Sequence, residues 1–205
     1  GTHFDSHESA LQAVEAGAAV LVVEREVEVK RSVTVISVEN TRYAMAHIAA
    51  AWYGHPAGKL QTIGVTGTKG KTTTTYLVKS ILESAGYKVG LVGTIETIIG
   101  DLHIPAGNTT PESCLLQEYF SRMAEAGCDA VVMEVSSQGL KLHRTQGFVF
   151  DYGIFMNLEP DHIGAGEHAD FAEYMACKRL LFRQCREGIV NGDDAHWEAV
   201  TEGHT

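Results

Sequence analysis

The sequence predicts an α/β fold in which a mostly parallel sheet is covered by helices, preceded by the distal part of a smaller α/β domain. Three observations lead there. From Leu60 onward, short apolar runs rich in β-branched residues alternate with amphipathic helical segments. A glycine-rich turn from Gly64 to Thr72 stands between one such run and a helix, and Gly54-His55-Pro56-Ala57-Gly58 interrupts the chain between two differently patterned stretches.

Residues 8–16 read as a short helix, followed by Ala18 to Val23, an apolar run suited to a buried strand. Val33 to Val38 alternates partly and follows the charged stretch from Glu24 to Arg31, as a strand does after a solvated connection. Asn40 offers an N-cap to a helix on which Met45, Ile48, Ala49 and Trp52 recur on one face. Gly and Pro within 54–58 end that helix and set a domain boundary near residue 57. A strand from Leu60 then leads through the glycine turn into a helix over 71–85, with Leu77, Val78, Ile81 and Leu82 as its inward stripe and Gly86 as its stop. Further strands are predicted at 88–92, 129–135, 152–156 and 188–190, further helices near 111–126 and over 170–183, and a last helical start at the end of the chain.

The 205 residues carry 16 Lys+Arg against 26 Asp+Glu, a net charge of −10, and 44% are hydrophobic. That composition excludes a disordered tail and argues against a nucleic-acid surface, although backbone N–H groups still cradle phosphates locally in acidic proteins. Cysteines at 114, 128, 177 and 185 form neither a CxxC pair nor a crowded framework, which points to a reducing cytoplasm. No apolar run reaches the roughly 18 to 20 residues of a transmembrane helix. The chain opens Gly1-Thr2-His3, without an initiator Met, and is read as a fragment.

The strongest chemical signal is Thr66-Gly67-Thr68-Lys69-Gly70-Lys71-Thr72-Thr73 between strand and helix, the mark of a P-loop sheet. Gly67 and Gly70 permit close backbone approach, so that successive N–H donors surround phosphate oxygens. Lys71 would neutralise the distal phosphates, and Thr72 would set a hydroxyl on Mg²⁺. The usual pattern wants glycine at 65, where this chain has Val65 and places Gly64 one position earlier. The competing reading is a structural turn with a solvated lysine.

Other candidates are weaker alone. Glu134, at the carboxyl end of the strand Asp129 to Val135, is placed to face the same crevice and to bind Mg²⁺ directly or through water; a satisfied surface glutamate is the alternative. His162 offers an imidazole with Asp161 to orient it, or else the pair caps a helix. Lys178 shares a helical face with Phe171, Tyr174, Met175 and Phe182. Snorkelling of its stem resolves the conflict most simply, and a charged partner, a substrate phosphate or a covalent modification resolves it otherwise. Arg144 suits a carboxylate or phosphate, or merely solvates its loop. Asn108-Thr109-Thr110-Pro111 reads as a turn entering a helix, open to an anionic ligand or simply initiating the helix.

Taken together with Met133-Glu134-Val135-Ser136-Ser137, Asn157 through His162 and Cys177-Lys178-Arg179-Leu180-Leu181-Phe182, these motifs resemble the Mur ligase family, most closely its UDP-N-acetylmuramoyl-tripeptide synthetase branch, over nearly the whole chain. The resemblance implies that residues 66–73, with Lys71 on the phosphates, hold ATP, and that Asp193 helps hold the nucleotide. It implies a Mg²⁺ centre organised by Thr72, Glu134, His162 and a carbamylated Lys178. It further implies that Asn108, Thr109, Thr110, Ser136 and Arg144 receive a UDP-N-acetylmuramoyl dipeptide. The reaction it implies is ATP-dependent ligation of an amino acid, lysine or meso-diaminopimelate, to UDP-N-acetylmuramoyl-L-alanyl-D-glutamate through an acyl phosphate, in cytoplasmic peptidoglycan synthesis.

Two segments depart from that branch: Gln138 stands where His is common, and Ile163-Gly164-Ala165-Gly166-Glu167-His168 replaces the familiar loop after Asp161-His162. By the resemblance, residues 1–57 are part of a UDP-substrate-binding domain and residues 58–205 part of the central ATP-binding domain. The resemblance further implies that the C-terminal amino-acid-binding domain is absent and that the fragment lacks complete activity. A non-catalytic ATP-binding module and another P-loop NTPase remain the alternatives.

Overall fold

A computed structural model describes residues 5–29, 33–161, 163–164 and 167–204. Among them the strands form two sheets. After a 3₁₀ turn at Ser6–Ser9 and helix α1 (Ala10–Glu15), strands β1 (Val20–Val23) and β2 (Thr34–Ser37) pair in parallel. Ala10, Val14, Leu21 and Val23 make the small core beneath them. Asn40 caps α2 (Thr41–Trp52) by accepting from the Tyr43 N–H at 2.9 Å, as its short polar side chain predicts.

Helix α2 buries Ala46, Ala49 and Ala50. Met45, Ile48 and Trp52 instead line an open cleft, Trp52 with 82% of its surface exposed. Of the four residues that recur on one face, Ala49 is thus buried while the three larger ones line the cleft, because small alanines permit a close approach: a Cβ on Gly147 would come within 2.7 Å of the Ala46 carbonyl oxygen. The Pro56–Lys59 3₁₀ turn follows, and its Ala57 joins the larger core.

The larger sheet contains β3 (Gln61–Thr66), β4 (Val89–Val92), β5 (Glu96–Ile99), β6 (Leu102–Pro105), β7 (Ala130–Glu134), β8 (Phe150–Phe155) and β9 (Cys185–Val190), in the order β6-β5-β4-β7-β3-β8-β9. Strands β4, β7, β3, β8 and β9 are parallel, while β5 and β6 add an antiparallel hairpin. Strands β3 and β7 are almost wholly buried, as a parallel sheet with helices on both faces requires. The helices are α3 (Lys71–Ser84), α4 (Ser113–Glu125), α5 (Ser137–Lys141), α6 (Phe171–Phe182) and α7 (Trp197–Thr201). None is long and apolar enough to cross a membrane.

The hairpin and α5 were missed. Their segments are too short for a period to register: four residues per strand and five in the helix. The last predicted strand begins earlier than expected, at Cys185, because Arg186 and Glu187 sit on an exposed edge where polar side chains carry no penalty. On α3, Val78 and Leu82 pack against the sheet, but Leu77 and Ile81 are exposed, so the inward stripe is half as wide as predicted. Gly86, at φ +94°, ends that helix as expected, its N–H donating to the Glu83 carbonyl.

Candidate functional site

Strand β3 lies between β7 and β8, so the carboxyl ends of three parallel strands open at one edge. This is where ligands gather on open α/β sheets. The loop leaving β3 turns at Gly70, with φ +82°, and α3 begins at Lys71 with its first N–H groups facing the crevice mouth. Thr66, Gly67 and Thr68 are buried, Lys69 and Thr73 are exposed, and Thr72 is half-buried. The Lys69 ammonium meets the Glu159 carboxylate at 2.8 Å, which holds the lysine's pKa above its usual range.

Glu134 closes β7 directly across from this loop. Its Oε1 accepts from the Thr72 hydroxyl at 2.9 Å and from the Thr94 N–H at 2.8 Å, and its Oε2 accepts from the Thr94 hydroxyl at 3.1 Å. The carboxylate is buried, and a Cβ on Gly93 would stand 2.6 Å from Oε1. Thr72 and Glu134 thus present two adjacent hard oxygen ligands, a donor set that suits Mg²⁺ completed by water and phosphate oxygens.

Two lysines approach the loop from different helices. Lys71 donates to the carbonyls of Gly67 at 2.9 Å and Thr68 at 3.2 Å. Lys178, on α6, donates to the same Gly67 carbonyl at 2.9 Å and lies 4.5 Å from the centroid of the Tyr174 ring. Snorkelling is thereby corrected: Lys178 is 1% exposed and its ammonium ends on the loop rather than in water, because α6 packs its polar-tipped face against the turn. Burial and the neighbouring Lys71 push its pKa down to about 7, against a partial pull from Asp161. Burial also lowers the pKa of Lys71, with Glu134 and Asp161 opposing.

His162 lies outside the described residues. Among those described, no group of three or more His, Cys, Asp or Glu side chains forms a metal site. Asp193 is exposed in the turn after β9, at the crevice edge; its neighbour Asp194 accepts from the Leu158 N–H at 2.8 Å and ties that turn to the loop after β8.

The residues expected to take substrate sit one strand over. Asn108 is exposed, and Thr109 reaches the Thr94 hydroxyl at 3.0 Å. Thr110 is fully buried, and its hydroxyl is spent on the Glu134 carbonyl, the Ser136 N–H and the Ser136 hydroxyl, so this side chain shapes the edge rather than facing it. Ser136 caps α5 by accepting from the Gly139 N–H at 3.0 Å. Arg144 pairs with Glu112 at 2.7 Å and donates to the Thr110 carbonyl at 3.0 Å, so it is neither free nor merely solvated.

Three contributors were given no site role from the sequence: Thr94, Glu112 and Asn157, the last quoted there only as part of a motif. Asn157 follows β8 and accepts from the N–H groups of Thr68 at 3.0 Å and Lys69 at 2.9 Å, while its amide donates to the Lys69 carbonyl at 3.2 Å. It pins the phosphate loop from the flank opposite Glu134. Its place just past a predicted strand end was the available signal; Thr94 and Glu112 gave none.

Known proteins resemble this chain in sequence and in fold. A family model of the Mur ligase middle domain matches residues 65–205, which takes in the loop, Glu134 and Lys178. The chain belongs to the Mur ligase family. Among similar proteins, UDP-N-acetylmuramoyl-L-alanyl-D-glutamate–2,6-diaminopimelate ligase 1 of Clostridium acetobutylicum is 47% identical over 196 residues, covering 96% of this chain and 40% of its own length. The corresponding ligase of Geobacillus thermodenitrificans is 47% identical over 184 residues, covering 90% of this chain and 37% of its own. A solved structure of such a ligase, 26% identical, superposes with a TM-score of 0.81 over 95% of this chain and 39% of that one. The MurF ligase of Thermotoga maritima in complex with ADP shares the fold, with a TM-score of 0.55 at 19% identity, covering 100% of this chain and 44% of that one. The chain spans about 40% of the length of these Mur ligase relatives.

Proposed function

We propose that this chain supplies the nucleotide-binding and phosphoryl-transfer part of an ATP-dependent ligase that joins an amino acid to UDP-N-acetylmuramoyl-L-alanyl-D-glutamate in peptidoglycan synthesis. The observation that carries the reading is the 2.9 Å contact between the Thr72 hydroxyl and the buried Glu134 carboxylate, made across a lysine-bearing loop within the family-matched region. In this reading residues 58–205 are part of the central ATP-binding domain, and residues 1–57 contribute to holding the UDP-bearing substrate.

The loop amides and Lys71 bind the nucleotide phosphates, Lys71 exchanging its loop carbonyls for phosphate oxygens. Thr72 and Glu134 hold Mg²⁺, which when bound offsets charge on the transferring phosphoryl group. The substrate carboxylate attacks the γ-phosphorus and ADP leaves; the incoming amine then attacks the acyl carbon, the C–O bond to phosphate breaks, and an amide and inorganic phosphate result. Arg144, held on the Thr110 carbonyl and Glu112, orients the anionic acceptor. A Lys178 pKa near 7 leaves much of the amine unprotonated at neutral pH, the form that adds CO₂ to give a carbamate and a proton. That supports the carbamylated state, whose negative charge suits a magnesium centre where an ammonium does not.

Titration calorimetry tests the core of this reading. The 205-residue chain is expected to bind ATP with Mg²⁺, and Lys71→Met to weaken binding at least about 100-fold by removing the charge that meets the phosphates. A folded wild-type chain with no Mg²⁺-dependent ATP affinity would sink it. The second reading, a nucleotide-binding module without muramoyl chemistry, is favoured if ATP binds and the dipeptide does not.

A further inference from the structure

Glu112 stands where three parts of the chain meet. It occupies the N-cap position of α4 without a side-chain cap bond, and its carboxylate accepts from Arg144 Nη2 at 2.7 Å and from Arg42 Nη1 at 3.3 Å. Arg42 belongs to the first turn of α2 and Arg144 lies just past α5, so a single carboxylate joins elements 70 and 32 positions away from it in sequence.

The Arg144 guanidinium is largely withdrawn from water, and its Nε is buried without a partner. Orientation must therefore come from its two Nη groups, one on Glu112 and one on the Thr110 carbonyl. A guanidinium in such surroundings requires a paired anion, which Glu112 supplies. Thr110 in turn braces Ser136, and Gly139 backs so closely onto Thr110 that an added Cβ would stand 2.8 Å from its side chain. Little slack remains along the path from α2 through Glu112, Arg144 and Thr110 to Ser136. After these contacts each Nη of Arg144 keeps one further N–H with which to meet an anionic ligand.

We propose that Glu112 is a positioning residue for substrate: it aims the Arg144 fork and clamps α2 to the Thr110–Ser136 brace, so that an anionic group of the muramoyl peptide meets a preset pair of donors. This rests on the reading of Arg144 as a substrate-binding residue. The Glu134 carboxylate takes its hydrogen bonds from Thr72 and Thr94, whereas the brace meets Glu134 at its backbone carbonyl, through the Thr110 hydroxyl.

Two measurements on the 205-residue chain test it. Glu112→Gln keeps the size and removes the charge; Glu112→Asp keeps the charge on a shorter stem. In amide hydrogen exchange without ligand, Glu112→Gln is expected to speed exchange at Ser136 and Gly139 by about tenfold while leaving β3 and β7 unchanged. In titrations, its dissociation constant for UDP-N-acetylmuramoyl-L-alanyl-D-glutamate is expected to rise about 10- to 100-fold with Mg²⁺-ATP affinity within about twofold of wild type, and Glu112→Asp to recover part of the loss. Faster exchange throughout the sheet, or equal loss of both ligands, marks a merely structural residue and overturns the proposal; so do unchanged exchange and unchanged dipeptide affinity. If the wild-type chain binds no dipeptide while Glu112→Gln loosens only Ser136 and Gly139, the clamp stands and the substrate reading falls.

Discussion

The ammonium groups of Lys71 and Lys178 each lie 2.9 Å from one acceptor, the carbonyl oxygen of Gly67. The two amines share a buried neighbourhood, and after burial itself the charge of Lys71 lowers the hold of Lys178 on its proton. The nearest compensation comes from Glu134 and Asp161, and burial outweighs it at both lysines. The arrangement is tense without an anion and relieved by one, as a phosphate site should be.

That tension has a pH signature. The unfolded chain holds the proton of residue 178 up to the ordinary lysine range, whereas the folded chain releases it near 7. Between those values the unfolded state binds more protons, so this group makes stability rise with pH, its cost being fully present below about 7. Urea unfolding at intervals from pH 6.5 to about 9.5 is expected to show wild type gaining stability relative to Lys178→Met as pH rises. Parallel curves for the two proteins would contradict the lowered pKa.

Glu134 accepts three hydrogen bonds and has little room to move. Glu134→Gln keeps its volume and is expected to abolish the Mg²⁺ dependence of nucleotide binding with a small change in melting temperature. Glu134→Ala strands the Thr94 N–H as well, and is expected to cost a further 1 to 3 kcal/mol or so of stability. Calorimetry with and without Mg²⁺, together with thermal unfolding, separates the two effects.

Asn157 is predicted to govern the shape of the phosphate loop. Its replacement by Ala removes three loop contacts and is expected to weaken ATP binding about tenfold or more, with a stability loss of about 1 to 3 kcal/mol. Asn157→Asp keeps the acceptor for Thr68 and Lys69 but sets a negative charge beside the phosphates. It is expected to retain more stability than Asn157→Ala and to bind ATP no better, as paired melting and titration curves would reveal.

Leu77 and Ile81 face outward on α3 and contribute little to the core. Leu77→Lys and Ile81→Lys are each expected to change stability by no more than about 0.5 kcal/mol, whereas Val78→Ala and Leu82→Ala, on the packed side, cost more. A large loss at Leu77 or Ile81 in denaturant titrations would return these residues to the core.

The sequence by itself determined what is local: the glycine-lysine turn between strand and helix, the Asn40 cap, the Gly86 stop, and a charged residue on the apolar face of α6. Each follows from backbone conformation or from side-chain spacing within a few residues. Tertiary structure alone decided that β7 and β8 flank β3, and hence that Glu134 and Asn157 meet the loop from opposite sides. It also decided which face of α2 and α3 is buried, and that Glu112 answers arginines from two distant elements. Strand order and helix docking depend on how whole surfaces fit together, and neither periodicity nor motif spacing records which surface a given face will meet.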